Sequence, residues 1–312
     1  MSENHVSVLL PQCIEGLNIK DNGIYVDCTF GAGGHTSAIL QANNSVKVIA
    51  LDRDNNNKVF ADQLAVKYPG RIFFANSLFS NVDEVVKSMG YDHVDGILYD
   101  FGVSSMQLDQ RERGFSFRNE GDLSMEMGLN SIDAYKIVNT YKEEDLANII
   151  YNNADEHQSR KIAHYIADYR IKKKIETTQE LSDIVIKAVG MRFAKKIHPA
   201  TKTFQAIRME VNEELPEIRK SLNKAIDILK PEGRLCAISF HALEDRIVKQ
   251  LFKDYGDVSK EKFNKYAKNS ATVNSKLHIV SKKPIVANND ERKSNPRSRS
   301  AKLRIAMRTS LT

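Results

Sequence analysis

Between Ile24 and Thr36 the chain reads Ile-Tyr-Val-Asp-Cys-Thr-Phe-Gly-Ala-Gly-Gly-His-Thr, an apolar strand-like run that breaks into a glycine-rich turn. Gly31, Gly33 and Gly34 accept positive φ and let backbone approach a ligand with no Cβ in the way. Thr36 to Leu40 fits the helix that follows. A second strand-like run from Lys47 ends in Asp52, about 20 residues further on, where doubly wound nucleotide-binding folds carry a ribose-binding carboxylate. The turn alone reads as a tight strand-to-helix connection with an incidental acid nearby; turn and acid together point to a nucleoside site.

What the turn lacks narrows the ligand. A dinucleotide fingerprint requires G-x-G-x-x-G/A, and Thr36 stands where the third small residue belongs. No G-x-x-x-x-G-K-[ST] run offers a phosphate cradle. A compact Gly-x-Gly-Gly behind a strand ending in Asp27 suits a small zwitterionic nucleoside, with backbone groups for its amino-acid end and Asp52 for its ribose. S-adenosylmethionine has that chemistry.

In open α/β sheets the chemistry collects at the carboxyl ends of the strands. Besides the ends at Phe30 and Asp52, two others qualify. One reads Asp100-Phe-Gly-Val-Ser-Ser-Met-Gln-Leu-Asp109 followed by Arg113-Gly-Phe-Ser-Phe117, an acid at the strand end with aromatics able to stack on a base. The other reads Ile238-Ser-Phe-His-Ala-Leu-Glu-Asp-Arg246, where His241 is placed either to act on protons or to cap the following helix. A further run, His198 to Arg208, combines hydrogen-bond donors, an aromatic and a helix start.

The elements that must hold these loops alternate. Strands fit at Ile24–Phe30, Lys47–Leu51, Arg71–Phe74, Val94–Tyr99, Arg234–Phe240, Leu277–Val280 and Leu303–Met307, with helices at Val59–Lys67 and Ser80–Ser88, as in a parallel α/β sheet. From about Asp133 to Ile197 apolar residues recur at helical spacing, and Thr177-Thr-Gln-Glu180 offers a capping-box start. This is a helical insertion; the sheet resumes after a Leu215–Leu229 helix and a Pro231-Glu-Gly233 turn. At 312 residues the chain exceeds the usual single-domain size. The reading is a first core segment over 1–108, a mainly helical insertion over 109–200, and a second core segment over 201–312.

Charge is unevenly placed. Residues 281–312 carry nine basic side chains against Asp290 and Glu291, a local +7 in a chain of net +6. Such a cluster suits contact with a phosphate backbone, although basic termini are also often simply solvated. A second cluster, Arg170 with Lys172, Lys173 and Lys174, ends a helix-like run and in part complements that helix's C-terminal dipole. Cys13, Cys28 and Cys236 are odd in number and set among apolar residues, which argues for small core residues rather than a disulfide or zinc site. No basic-then-apolar leader and no apolar run of about 18 residues is seen, so the expectation is a cytoplasmic protein without a membrane span.

The runs Thr29-Phe-Gly-Ala-Gly-Gly-His35, Asp95-Gly-Ile-Leu-Tyr-Asp-Phe-Gly-Val-Ser-Ser105, Gln107-Leu-Asp109, Arg113-Gly-Phe-Ser-Phe117, His198-Pro-Ala-Thr, Thr203-Phe-Gln-Ala206, Ile238-Ser-Phe-His241, Leu243-Glu-Asp-Arg246 and Asn295-Pro-Arg-Ser-Arg-Ser-Ala301 occur in one order along the chain. Together they resemble the signature blocks of the bacterial 16S ribosomal RNA cytosine-N4 methyltransferases, the RsmH or MraW type. The resemblance implies a class I S-adenosylmethionine-dependent methyltransferase (Rossmann-like) α/β sheet with an inserted helical domain facing RNA. It implies methyl transfer to the exocyclic amine of a cytidine in the decoding region, with 16S ribosomal RNA or the small ribosomal subunit as partner and no metal. It further implies that Gly33, Gly34 and His35 line the cofactor, that Asp52 takes the ribose hydroxyls and that Phe79 packs near the adenine. Asp100 and Gln107 then complete the cofactor side and border the target amine. Asp100 is the first choice for the group that accepts a hydrogen bond from that amine, His241 the second, with Phe115, Phe117 or Phe204 to hold an unstacked base. One departure stands out: where the family reads Asp-Gly-Pro-Leu-Asp-Met-Arg-Met-Asp, this chain has Glu120-Gly-Asp-Leu-Ser-Met-Glu-Met-Gly128.

Overall fold

A computed structural model describes residues 7–117, 120–190, 198–256 and 275–310. Seven strands form one sheet: β1 (Ile24–Asp27), β2 (Lys47–Asp52), β3 (Ile72–Asn76), β4 (Val94–Asp100), β5 (Leu229–Ser239), β6 (Leu277–Ile279) and β7 (Lys302–Arg308). Their order is β3-β2-β1-β4-β5-β7-β6. The first five run parallel, and β7 runs antiparallel to both β5 and β6. The dinucleotide-binding order is 3-2-1-4-5-6; here a reversed strand is wedged between the fifth and sixth. This is the Rossmann-like sheet expected of a class I methyltransferase.

The central strands read as near-continuous apolar runs because both faces are covered. All of β1 is buried, and β4 is buried from Gly96 to Tyr99. One apolar layer gathers Val26, Ile97, Leu222, Ile226 and Val248; the other gathers Leu9, Leu17, Ile39, Leu40 and Ile305. The three cysteines are buried and free, as the sequence suggests.

The Pro231-Glu-Gly233 segment departs from its reading as a turn that precedes a strand. Val94 pairs with Leu229 and Gly96 with Arg234, so the segment is extra length inside β5, with Glu232 at φ +64°. A proline within a sheet is tolerated where pairing is interrupted, and a bulge provides that.

The chain divides into two compact units, Met1–Gly102 with Leu215–Thr312, and Val103–Glu214. The sequence reading put these boundaries at 108/109 and 200/201. The second unit packs helices Ala134–Thr140, Glu143–Ala154, Ser159–Lys172, Thr178–Val189 and Thr201–Val211 around a core of its own that includes Ile137, Leu146, Ile162, Val185 and Ile207. Thr177 and Glu180 form the capping box read from sequence. The far end of the expected insertion, 191–197, lies outside the described residues. Arg170 and Lys172 stand in the last turn of the helix Ser159–Lys172, as read from sequence, and the Arg170 guanidinium also donates to the carbonyls of Val138 and Tyr141 at a second helix end, at 2.7 and 2.5 Å.

The basic C-terminal segment is partly structural. Arg304, buried in β7, makes a two-pronged contact with Asp245 at 2.7 and 3.2 Å, and Lys302 joins at 3.4 Å. Burial alone raises the Asp245 carboxyl, but Arg304 and Lys302 hold it below the usual carboxylate range. The Arg304 part of the +7 is therefore paired within the fold, while Lys302 stays partly exposed.

Candidate active site

The turn after β1 is closed by a buried acid. Asp27 Oδ1 accepts from the Thr29 amide at 3.2 Å and Oδ2 from the Thr36 hydroxyl at 2.7 Å. Burial pushes the Asp27 carboxyl up to about 6, with those donors acting against the rise. Thr36 therefore fills the place of the third small residue because its hydroxyl ties the helix start to the strand end. Gly31, at φ +55°, donates its amide to Asp52 Oδ2 at 2.7 Å, and a Cβ on it would meet nothing closer than 3.9 Å. Gly33, at φ +78°, opens the helix Gly34–Ala42; a Cβ there would come within 2.8 Å of Phe30 and Leu64. The first-turn amides of that helix have no partner within it and favour anionic groups.

Asp52 is held by its own loop. Beside Gly31, Asn57 Nδ2 donates to Oδ2 at 2.8 Å and the Asp54 amide to Oδ1 at 2.8 Å. Asn76 Nδ2 donates to the Asp52 carbonyl at 2.9 Å, fixing the end of β3 beside it. Burial pushes the carboxyl up to about 6 despite these donors. Three accepted bonds leave lone-pair capacity on a rigidly placed carboxylate.

At the end of β4 the Asp100 amide donates to Thr29 Oγ1 at 2.7 Å, which ties this loop to the glycine turn. Burial raises the Asp100 carboxyl to about 6; His35 opposes the rise, while Asp27 and Glu244 add to it. His35 is buried, donates from Nε2 to the Val8 carbonyl at 3.1 Å, and presents Nδ1 3.8 Å from Asp100 Oδ2. His241, at the end of β5, is the N-cap residue of the helix Ala242–Tyr255, and both its ring nitrogens are buried without a hydrogen-bond partner. The capping is done by Glu244, whose Oε2 accepts from the amides of Phe240 and His241 at 2.8 and 3.3 Å.

Buried polar atoms nearly always find partners, so orphans call for an explanation. Among the described residues nine buried side-chain atoms lack one, and four of them belong to Asp100 (Oδ1), His241 (both ring nitrogens) and Glu244 (Oε1). The ends of β4 and β5 thus hold unmet hydrogen-bonding capacity, and Thr29 ties the first of them to the glycine turn, where Gly31 leaves open space. That set fits a small nucleoside carrying hydroxyl, amine and cationic groups.

Other sequence candidates have different surroundings. Phe79 is half-buried at the start of a single 3-10 turn, its ring packed on Tyr99 and Phe101 at centroid distances of 5.9 and 6.1 Å. Gln107 belongs to the helical unit, where it forms a capping box with Ser104. Phe115 and Phe204 are core residues of that unit, whereas Phe117 is half-buried and stacked on His198 at 4.4 Å. Phe115 and Phe204 are therefore committed to packing, and Phe117 is the least buried of the three. Sequence reasoning missed Asn57, Asn76 and Glu244. The last had a signal, since a Glu three residues past a helix cap completes a capping box.

The 120–128 segment keeps the family's apolar positions inside. Leu123, Met125 and Met127 are buried in the helical unit's core, and the differing residues Asp122, Ser124, Glu126 and Gly128 alternate with them. Ser124 donates to Glu126 Oε2 at 3.0 Å, and Arg113 donates to the Glu126 carbonyl at 2.7 Å.

The sequence matches the MraW methylase family over residues 2–309. A ribosomal RNA small subunit methyltransferase H from Ehrlichia canis (strain Jake) is 46% identical over 305 residues, covering 97% of this chain and 99% of its own. One of the same name from Wolbachia sp. subsp. Drosophila simulans (strain wRi) is 47% identical over 307 residues, covering 98% and 99%. Among solved structures, an rRNA methylase from Streptococcus thermophilus overlaps 96% of this chain and 95% of its own at 9% identity and a TM-score of 0.43. With its motifs in order, its reversed-strand sheet and a match that runs nearly from end to end, the chain belongs to the MraW methylase family of S-adenosylmethionine-dependent methyltransferases.

Proposed function

We propose that this protein methylates the exocyclic N4 amine of a cytidine in the decoding region of 16S ribosomal RNA, acting in the cytoplasm on that RNA or on the small ribosomal subunit. Its family membership over nearly the whole length, joined to the open acceptor on Asp100, carries this reading. When bound, S-adenosylmethionine supplies a methyl group on a cationic sulfur. Gly31, Gly33, Gly34, His35 and Asp52 would hold it, with Phe79 beside the adenine.

The remaining work belongs to the chain's own groups. The acceptor is an amine and not a ring carbon, so no cysteine nucleophile is required. Burial raises the thiol pKa of Cys13 and Cys28 and takes Cys236 to about 12, so none supplies a thiolate. The N4 lone pair is delocalised into the ring, and an acceptor on the amine's N–H returns electron density to nitrogen. Asp100 Oδ1 is that acceptor in our reading.

The test uses labelled S-adenosylmethionine with small subunits, or their RNA, from cells that lack the enzyme, followed by digestion to nucleosides. N4-methylcytidine is the expected product. Cofactor binding without any methylated nucleoside, beside a working family member, would replace this reading with that of an RNA-binding assembly factor.

A further inference from the structure

Glu244 has more reach than a capping residue needs. It is fully buried, and one carboxylate oxygen is anchored by the amides of Phe240 and His241. The other, Oε1, lies 3.1 Å from His241 Nε2 but off the hydrogen-bond axis, so both atoms count as unpartnered. Apo geometry of this kind is common at catalytic sites and tightens in the complex. A buried carboxylate beside an imidazole determines which ring nitrogen bears the proton.

We propose that Glu244 is the positioning residue for His241. It holds the neutral ring with its proton on Nε2, leaving Nδ1 as a buried acceptor for the proton that the methylated amine sheds. The inference rests on the N4 reading above and deepens it. An exocyclic amine has two N–H bonds, and the ends of β4 and β5 offer two orphan acceptors, Asp100 Oδ1 and His241 Nδ1. The new N–CH3 bond forms with the amine's lone pair as the methyl–sulfur bond breaks toward sulfur. The amine then carries a positive charge and one proton too many. Nδ1 takes that proton, and the resulting imidazolium is balanced by the Glu244 carboxylate before the proton passes to solvent.

Glu244→Gln separates this role from capping alone. The glutamine carbonyl still accepts from the two amides, but its NH2 now faces Nε2 and drives the ring proton onto Nδ1, turning the acceptor into a donor. The same change of tautomer is costly in other enzymes built on a carboxylate–histidine pair. Glu244→Gln, His241→Gln and the double variant are compared on small subunits for kcat and for KM of S-adenosylmethionine, together with cofactor Kd, melting temperature and the nitrogen-15 signature of His241. Glu244→Gln is expected to lower kcat about 10- to 100-fold, leave cofactor Kd and melting temperature near wild type, and add nothing in the His241→Gln background. The wild-type ring should show its proton on Nε2 and the variant on Nδ1.

Wild-type kcat in Glu244→Gln overturns the proposal, as does a wild-type ring already protonated on Nδ1, or a loss that multiplies with that of His241→Gln. Full turnover in His241→Gln overturns the proton-acceptor role. Failure of the wild-type protein to make N4-methylcytidine overturns the functional reading instead, and the nitrogen-15 signature still decides the orientation. That measurement needs only the wild-type protein, so it stands even if a variant does not fold.

Discussion

Asp27, Asp52 and Asp100 each titrate near 6 in the fold, against 3.8 for a free aspartate. Between those values the folded chain keeps protons that the unfolded chain has lost, so stability falls as pH rises from about 4 to about 6 and stays lower above that. Melting curves of the ligand-free protein across that range should show the decline, and Asp27→Asn, which removes one of the three ionisations, should flatten it. Asp100 carries a second expectation, at the chemical step. Asp100→Asn replaces the acceptor with an amide and should reduce kcat on the order of 10^2-fold, with cofactor binding retained by calorimetry; unchanged turnover would reassign the role. Much of this was legible from residue type and spacing, since a glycine turn and an acid 20 residues on are local patterns. The supporting shell was not legible, because Asn57 and Asn76 matter only through contacts that the fold creates.

At the scale of elements, the 120–128 segment shows how side-chain alternation separates structure from contact. Its inward residues keep their apolar character while the outward ones differ, so the segment packs as the family pattern requires and presents other chemistry on its second face. Gly121 marks its tightest point: a Cβ there would lie 1.9 Å from the Arg111 carbonyl oxygen, a backbone atom that cannot swing away. Gly121→Ala should destabilise the protein by about 2 kcal/mol or more, visible as a lowered midpoint in urea. The strands up to Asp100 could be read from sequence because each is a short apolar run closed by a turn signal. β5 was read too short, since a Pro-Glu-Gly run has the same signature whether it ends a strand or bulges within one.

For the whole molecule, charge must be sorted by partner before it is assigned to RNA. Arg304 and Asp245 are 59 residues apart, and no local pattern announces that a strand and a helix bring them together. Arg304→Ala leaves the partly buried Asp245 with only Lys302 for balance and should cost about 1.5–3 kcal/mol, measured by denaturant unfolding. Asp245 also sets an acid limit opposite in sign to that of the raised aspartates: its folded pKa lies below 3.8, so its contribution is intact at neutral pH and is lost as pH falls below that value.

The sheet's division in sequence has a consequence for biosynthesis. β4 ends at Asp100, while β5, its neighbour, begins at Leu229, about 130 residues later. At translation rates of roughly 5–20 residues per second, the nascent β3-β2-β1-β4 half presents an unpaired β4 edge for on the order of ten seconds. The intervening helical unit, with a core drawn from its own residues, can condense during that interval. The enzyme's half-sheet is therefore the form that chaperones meet first, and variants that slow its completion should reduce yield in cells more than their equilibrium stability suggests.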